Sequence, residues 1–311
     1  MDVLSDVLTA LRTGRPHATL TRVEAPWGVR FPPGDGAGCH VVIDGSCWLL
    51  PSKGEPIELA GGDIVFVPHG TGYSLADQPD SPLVDFRLEE LYEPDDTAPV
   101  DLMAIGGASS STRLCAAYFF DRANSHPLLD ELPEVIHLSA RMDRHSSLRG
   151  AIELLSAELS RPQAGTSTIL SGLVDMLLLF VLRAWFDEQA EHSTSGWAGA
   201  LGDPPTMAAL RGIHGRPEHP WTVEELAALS GLSRASFAKR FTDIVGRPPM
   251  AYLTWWRMTL AARRLRDSDA PLRAIAGQTG YATEFALAKA FKRAYGVAPG
   301  QYRREHHPLT A

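Results

Sequence analysis

The stretch FTDIVGRPPMAY, residues 241–252, recurs fifty residues later as FKRAYGVAPGQY, residues 291–302. Phe241, Gly246, Pro249 and Tyr252 return as Phe291, Gly296, Pro299 and Tyr302, and a fixed period of this kind marks a duplicated supersecondary unit. Upstream of the copies lie VEELAALSGLSRASFAKRF (223–241) and LRAIAGQTGYATEFALAKAF (272–291), each a short helical pattern, a glycine turn and a second helical pattern. Both read as a helix-turn-helix. Leu226 and Ala227 map to Ile275 and Ala276, and Phe237 to Leu287, with one extra residue in the second turn.

Local chemistry fits this reading. Thr222 stands three residues before Glu225, a capping-box spacing. Ser233 and Thr283 stand where each second helix should begin. With Phe237, Phe241, Leu287 and Phe291 turned inward, the helical period places Arg234, Ala235, Ala238 and Lys239 on the outward face of the first unit. It places Glu284, Phe285, Ala288 and Lys289 on that of the second. These stripes are the candidate contacts to bases.

The formal charge of −8 hides an asymmetry. Residues 207–311 carry sixteen Lys and Arg against eight Asp and Glu, whereas residues 1–206 carry thirteen against twenty-nine. A basic module suits a polyanion, since phosphate neutralisation supplies most non-specific nucleic-acid affinity. The acidic remainder is expected to stay off the DNA.

The duplicated FxxxxGxxPxxY pattern, the connecting segment YLTWWRMTLAARRLRDS and the Gly280-Tyr281 turn before the second reader resemble, in that order, the AraC/XylS regulators over about 207–304. The resemblance implies a linking helix that sets two reader helices in major-groove faces about one DNA turn apart. It also implies that Arg257 serves inter-unit packing or a phosphate rather than a base. The small Ala235, Ala238 and Ala288 imply few hydrogen bonds to base edges, with methyl contacts and DNA shape contributing more.

Residues 1–16 form an amphipathic helical pattern through Val3, Val7, Leu8 and Leu11. From about 19 to 121 short apolar runs alternate with Gly and Pro, and Asp44-Gly45 reads as a hairpin turn between CHVVI and CWLL. This texture predicts a β-sandwich or barrel. Helical periods follow over about 146–190, with apolar stripes that pack on the barrel or meet a second subunit. GLVDMLLLFVLRAWF contains Asp175 and Arg183 and reads as a buried helix rather than a membrane span. Residues 191–206, rich in Ser, Gly and Pro, read as a linker. The expected fold is α+β and multidomain: a cupin-like β-barrel with packing or dimerisation helices over 1–190, then an all-α double helix-turn-helix module over 207–311.

GGDIVFVPHGTGYSL (61–75) resembles the second cupin motif, but Tyr73 stands where a metal-binding histidine is expected, and the first motif lacks its paired histidines. Catalysis is therefore not expected. The order GxGCHVVxxGxCW, GDxVFVP and a stretch ending in HPLLxxLP resembles the cupin-type sensor domain of some AraC-family regulators. Cys39, His40, Cys47 and Cys115 have two readings: a converging set that holds a soft metal such as zinc or senses oxidant, or small buried hydrophobes. Cys39 and Cys47 flank the expected hairpin turn and would oppose one another. Three cysteines and no signal-like N-terminus fit a reducing cytoplasm.

The resulting expectation is a cytoplasmic, homodimeric, DNA-binding transcription regulator, with RNA polymerase as a further partner if it activates, responding to a small molecule, a metal or an oxidant. The alternatives are a metal-dependent cupin enzyme joined to a DNA-binding module, and an architectural DNA binder without effector.

Overall fold

The computed structural model describes residues 2–86, 110–121, 126–139, 146–190 and 196–306. Helix α1 (Val3–Leu11) precedes strands β1 (His17–Glu24), β2 (Gly28–Phe31), β3 (Gly36–Asp44), β4 (Ser46–Pro51), β5 (Ile57–Ala60), β6 (Ile64–Val67), β7 (Tyr73–Ala76), β8 (Val84–Asp85) and β9 (Ser110–Phe119). Helix α2 (Pro127–Asp130) and strand β10 (Ile136–Leu138) follow, then α3 (Ser146–Ser160), α4 (Thr166–Ala190), α5 (Gly196–Leu201) and α6 (Pro204–Gly215). The last helices are α7 (Val223–Leu229), α8 (Arg234–Val245), α9 (Pro249–Asp267), α10 (Leu272–Gln278), α11 (Glu284–Tyr295) and α12 (Pro299–His306). Residues 13–120 and 132–188 make one compact unit; residues 1–12, 121–131 and 189–311 make the other. Helices α1 and α2 thus group with the C-terminal helices, although the sequence boundaries assign them to the N-terminal segment.

The β unit has two five-stranded sheets, ordered β1-β9-β3-β6-β10 and β5-β4-β7-β2-β8. All pairs are antiparallel except β2 with β8. Between the sheets, Val42, Cys47, Leu49, Leu59, Val65 and Leu75 form a buried core. The expected hairpin at Asp44-Gly45 is corrected here. Strand β3 pairs with β6 and β9, while β4 pairs with β5 and β7, so the two belong to different sheets. Gly45, at φ +80°, is a corner at which the chain passes between sheets, and the register irregularity after Val42 bends β3 into it.

Helix α3 buries Leu148, Ala151 and Leu155, and α4 buries Val174, Leu177, Val181 and Leu182. By length and composition α4 could cross a membrane, but its buried stripe packs within the β unit, where Tyr118 donates to the Val174 carbonyl at 2.7 Å.

The expected linker is also corrected. Residues 196–201 and 204–206 are helical, and Trp197 and Ala200 are fully buried. Asp203 caps α6 by accepting from the Thr206 N–H at 3.0 Å, and Arg240 on α8 donates to the same carboxylate. Small residues and prolines had concealed an interior Trp and a Pro-initiated helix. Residues 191–195 lie outside the described residues.

In the helical unit the duplication is visible element by element. Helices α7 and α10 each span seven residues, and α8 and α11 each span twelve. Both of the latter end on left-handed glycines, Gly246 and Gly296. The C-terminal half of α9 supplies Met258, Ala261, Ala262 and Leu265 to the core of the second unit, with Ile275, Leu287, Phe291 and Tyr302. The two repeat tyrosines anchor differently. Tyr252 meets His214 at 2.8 Å and His126 at 3.2 Å, whereas Tyr302 donates to Asp121 at 3.1 Å and accepts from Arg266 at 2.7 Å.

Candidate functional site

Each outward stripe sits on the second helix of its unit. Thr222 and Glu225 form the reciprocal capping box that fixes the start of α7. Ser233 accepts from the Ser236 N–H and Thr283 from the Ala286 N–H, which fixes where α8 and α11 begin. Burial of Phe237 and Phe241 on one helix, and of Leu287 and Phe291 on the other, then sets rotation about each axis. Arg234, Ala235, Lys239, Phe285 and Lys289 come out exposed, and Ala238, Glu284 and Ala288 half-buried. Phe285 is 78% exposed. Its ring stands in solvent on the first turn of α11, beside the exposed Lys289.

The exposed cations are lightly tied. Lys239 pairs with Asp243 at 2.5 Å and Arg234 with Glu224 at 2.9 Å, in both cases with solvent-exposed side chains. Such pairs contribute little, so exchanging the carboxylate for a DNA phosphate or base edge costs little. Arg257 faces the other way: its Nε and Nη2 donate to the Pro217 and His219 carbonyls at 2.7 and 2.8 Å. A Cβ on Gly280, whose φ is +73°, would lie 2.5 Å from the Arg257 guanidinium. Arg257 therefore ties the loop before the first unit to the turn of the second.

The β unit contains a second candidate site, a cavity of about 460 Å³ between the sheets. Alternation along β1, β3 and β9 turns Thr21, His40, Arg113 and Cys115 into it, and the other sheet contributes Phe31 and Tyr73. His40 Nδ1 lies 3.1 Å from Cys115 Sγ, and its Nε2 lies 2.5 Å from the Tyr73 hydroxyl. Burial, with Arg113 nearby, pulls the His40 pKa down to about 3, so the imidazole is neutral and each ring nitrogen finds a neutral partner. A Cβ at position 38 would sit 2.0 Å from the Tyr73 hydroxyl, so Gly38 permits this approach. Tyr73 thus occupies the place of the expected histidine and closes a hydrogen-bonded network.

The cysteines do not converge as expected. His40 and Cys115 are direct cross-strand partners, but Cys39, one residue away, points to the opposite face of the sheet. Cys47 stands on the second sheet. Among the described residues, no three His, Cys, Asp or Glu side chains are grouped to hold a metal ion, so the set does not fit zinc. The disulfide geometry expected for Cys39 and Cys47 fails with the hairpin that implied it. Burial also raises all three thiol pKa values, that of Cys47 to about 11, which removes thiolate character.

Sequence reading passed over Arg113. It is 4% exposed, and its guanidinium carbon lies 3.5 Å from the centre of the Trp27 ring. The available signal was alternation in STRLCAAYF: the period that turns Cys115 inward does the same to Arg113.

A cupin family matches residues 2–187, and a helix-turn-helix domain matches residues 226–305. The chain is 36% identical to an AraC-like transcription regulator of Streptomyces lividans, over 99% of each chain. It is 35% identical to an AraC-like regulator of Streptomyces antibioticus, over 99% of this chain and 100% of that one. To the HTH-type transcriptional regulator AlkR of Acinetobacter baylyi it is 29% identical, over 98% of this chain and 100% of the relative.

Proposed function

The chain belongs to the AraC-like transcription regulators with a cupin domain, and from that premise we propose that α8 and α11 read two successive major-groove segments of duplex DNA. The observation that carries this is the matched pair of helix-turn-helix units sharing α9, each with an exposed stripe on its second helix. Arg234, Ala235, Ala238 and Lys239 read the first segment; Glu284, Phe285, Ala288 and Lys289 read the second. Phe285 suits a thymine methyl, and the lysines suit guanine or phosphate.

The barrel cavity is the effector site, in which His40, Tyr73, Arg113 and Cys115 meet a small molecule. The protein acts in the cytoplasm, as a homodimer and without catalysis, and recruits RNA polymerase where it activates. Dimer contact falls on α3 and α4, whose exposed Leu154, Ile169 and Met176 leave apolar surface uncovered.

Two experiments test this reading. Binding of the purified protein to DNA from its own upstream region should weaken with Lys239→Ala or Lys289→Ala; unchanged affinity in both removes α8 and α11 as readers. Ala117→Trp fills the cavity from a lining position. It should leave DNA binding intact and abolish effector-dependent transcription, and an unaltered response removes the barrel as the effector site.

A further inference from the structure

We infer that the barrel cavity takes an organic monoanion with an apolar body, its carboxylate held by Arg113. This rests on the barrel being the effector site, and goes beyond it by naming the ligand's chemistry.

The first observation is a buried cation with no carboxylate beside it among the described residues. Arg113 is 4% exposed and lines the cavity. One face of the guanidinium stacks on Trp27, while its Nε–H has no acceptor among the described residues. The thiols near it, Cys115 and Cys47, have pKa values raised by burial and stay protonated at neutral pH. His40 is neutral as well. No described carboxylate lies within ion-pair distance of Arg113. A desolvated guanidinium without a counter-charge is unfavourable, and a ligand carboxylate would supply both the charge and the planar pair of acceptors its fork geometry matches.

The second observation is polarity along the cavity. Arg113 faces Thr21 and Val42, while Phe119, six residues further along β9, faces Gly36 beside Asp35. At about 3.3 Å per residue these ends lie roughly 20 Å apart. At the Arg113 end the lining Thr21 and Val23 are buried, whereas Asp35 and the neighbouring prolines are exposed. The cation is therefore at the deep end and a carboxylate at the mouth, with Val29, Phe31 and Ala117 in the lining. A ligand entering head first pairs its anion with Arg113 and lays its apolar body toward the opening. A second anionic group at its tail would meet Asp35, which selects a single charge.

The test uses the full-length protein and two probe pairs: decanoate with decanamide, and benzoate with benzamide. Affinity is followed by calorimetry and by tryptophan emission, with Trp27→Phe identifying the signal from beside Arg113. At least one carboxylate should bind ten-fold or more tightly than its amide. Arg113→Met should weaken that carboxylate at least ten-fold without weakening the amide, and Arg113→Lys should fall between. Thermal melts establish that the variants fold, and the wild-type comparison of acid with amide needs no variant. Amides binding as tightly as carboxylates overturn the anion inference and leave the barrel a ligand site. Failure of every probe to bind wild type also overturns the inference, and the barrel reading is then decided separately by Ala117→Trp.

Discussion

Arg266 is the most heavily committed charge in the helical unit. Its side chain is 6% exposed, pairs with Asp121 at 3.0 Å, reaches the Tyr302 hydroxyl, and donates to the Ala10 carbonyl. Breaking such a pair from one side leaves a buried charge, at a cost of roughly 3–5 kcal/mol. Asp121→Ala is thus expected to lower the unfolding free energy by that order in urea titration, while Arg234→Ala, an exposed pair, should change stability by less than about 1 kcal/mol. On DNA the ranking inverts. Phe285→Ala and Lys289→Ala should each lose about 1–3 kcal/mol of discrimination at one segment. Arg234→Ala, if its contact is to phosphate, should weaken binding equally on all sequences and flatten the salt dependence by about one unit. Anisotropy titrations at several salt concentrations separate the two behaviours. At this scale the sequence was partly legible. The outward stripe on α8 and α11 followed from the inward Phe and Leu positions, whereas Arg113 was passed over, because charge normally means solvent and only its strand's alternation says otherwise.

Elements were legible where their signals are local. The helix-turn-helix units declared themselves through caps, glycines and a repeated core pattern, all within a few residues. The sheets did not. Individual strands followed from alternation, but β3 and β4, joined by a single residue, lie in different sheets, because strand partners are chosen by packing across the whole unit. The disulfide reading of Cys39 and Cys47 depended on that pairing and fell with it. Helix α4 carries both buried and half-buried leucines. Leu177 is buried and Leu173 half-buried. Leu177→Asp should therefore unfold the β unit, and Leu173→Asp should split a dimer while leaving the circular dichroism of the monomer native. Sedimentation at micromolar concentration checks this, and a strictly monomeric wild type contradicts it. At the turn of the second unit, Gly280→Ala forces a side chain into a left-handed conformation and against Arg257. A loss of about 1–2 kcal/mol from backbone strain alone is expected in thermal melts.

Across the whole molecule, buried histidines set a pH dependence. His40, His126 and His214 all have pKa values lowered chiefly by burial, that of His40 from 6.5 to about 3. Asp6 beside His214 partly opposes the shift. A depressed imidazole pKa means the unfolded chain binds the proton first. The stability each histidine contributes is therefore present above about pH 6.5 and lost as pH falls toward its folded value, by up to about 1.4 kcal/mol per pH unit per group. Denaturation midpoints should fall from pH 7.5 to 5.5, and His40→Gln should flatten that slope. The central claim is that one chain reads two groove segments with two equivalent helices. Hydroxyl-radical footprinting of the upstream DNA tests it most directly. Wild type should protect two segments about one helical turn apart on one face, with Lys239→Ala erasing one and Phe285→Ala the other; a single protected segment, or two that neither substitution alters, would contradict the account.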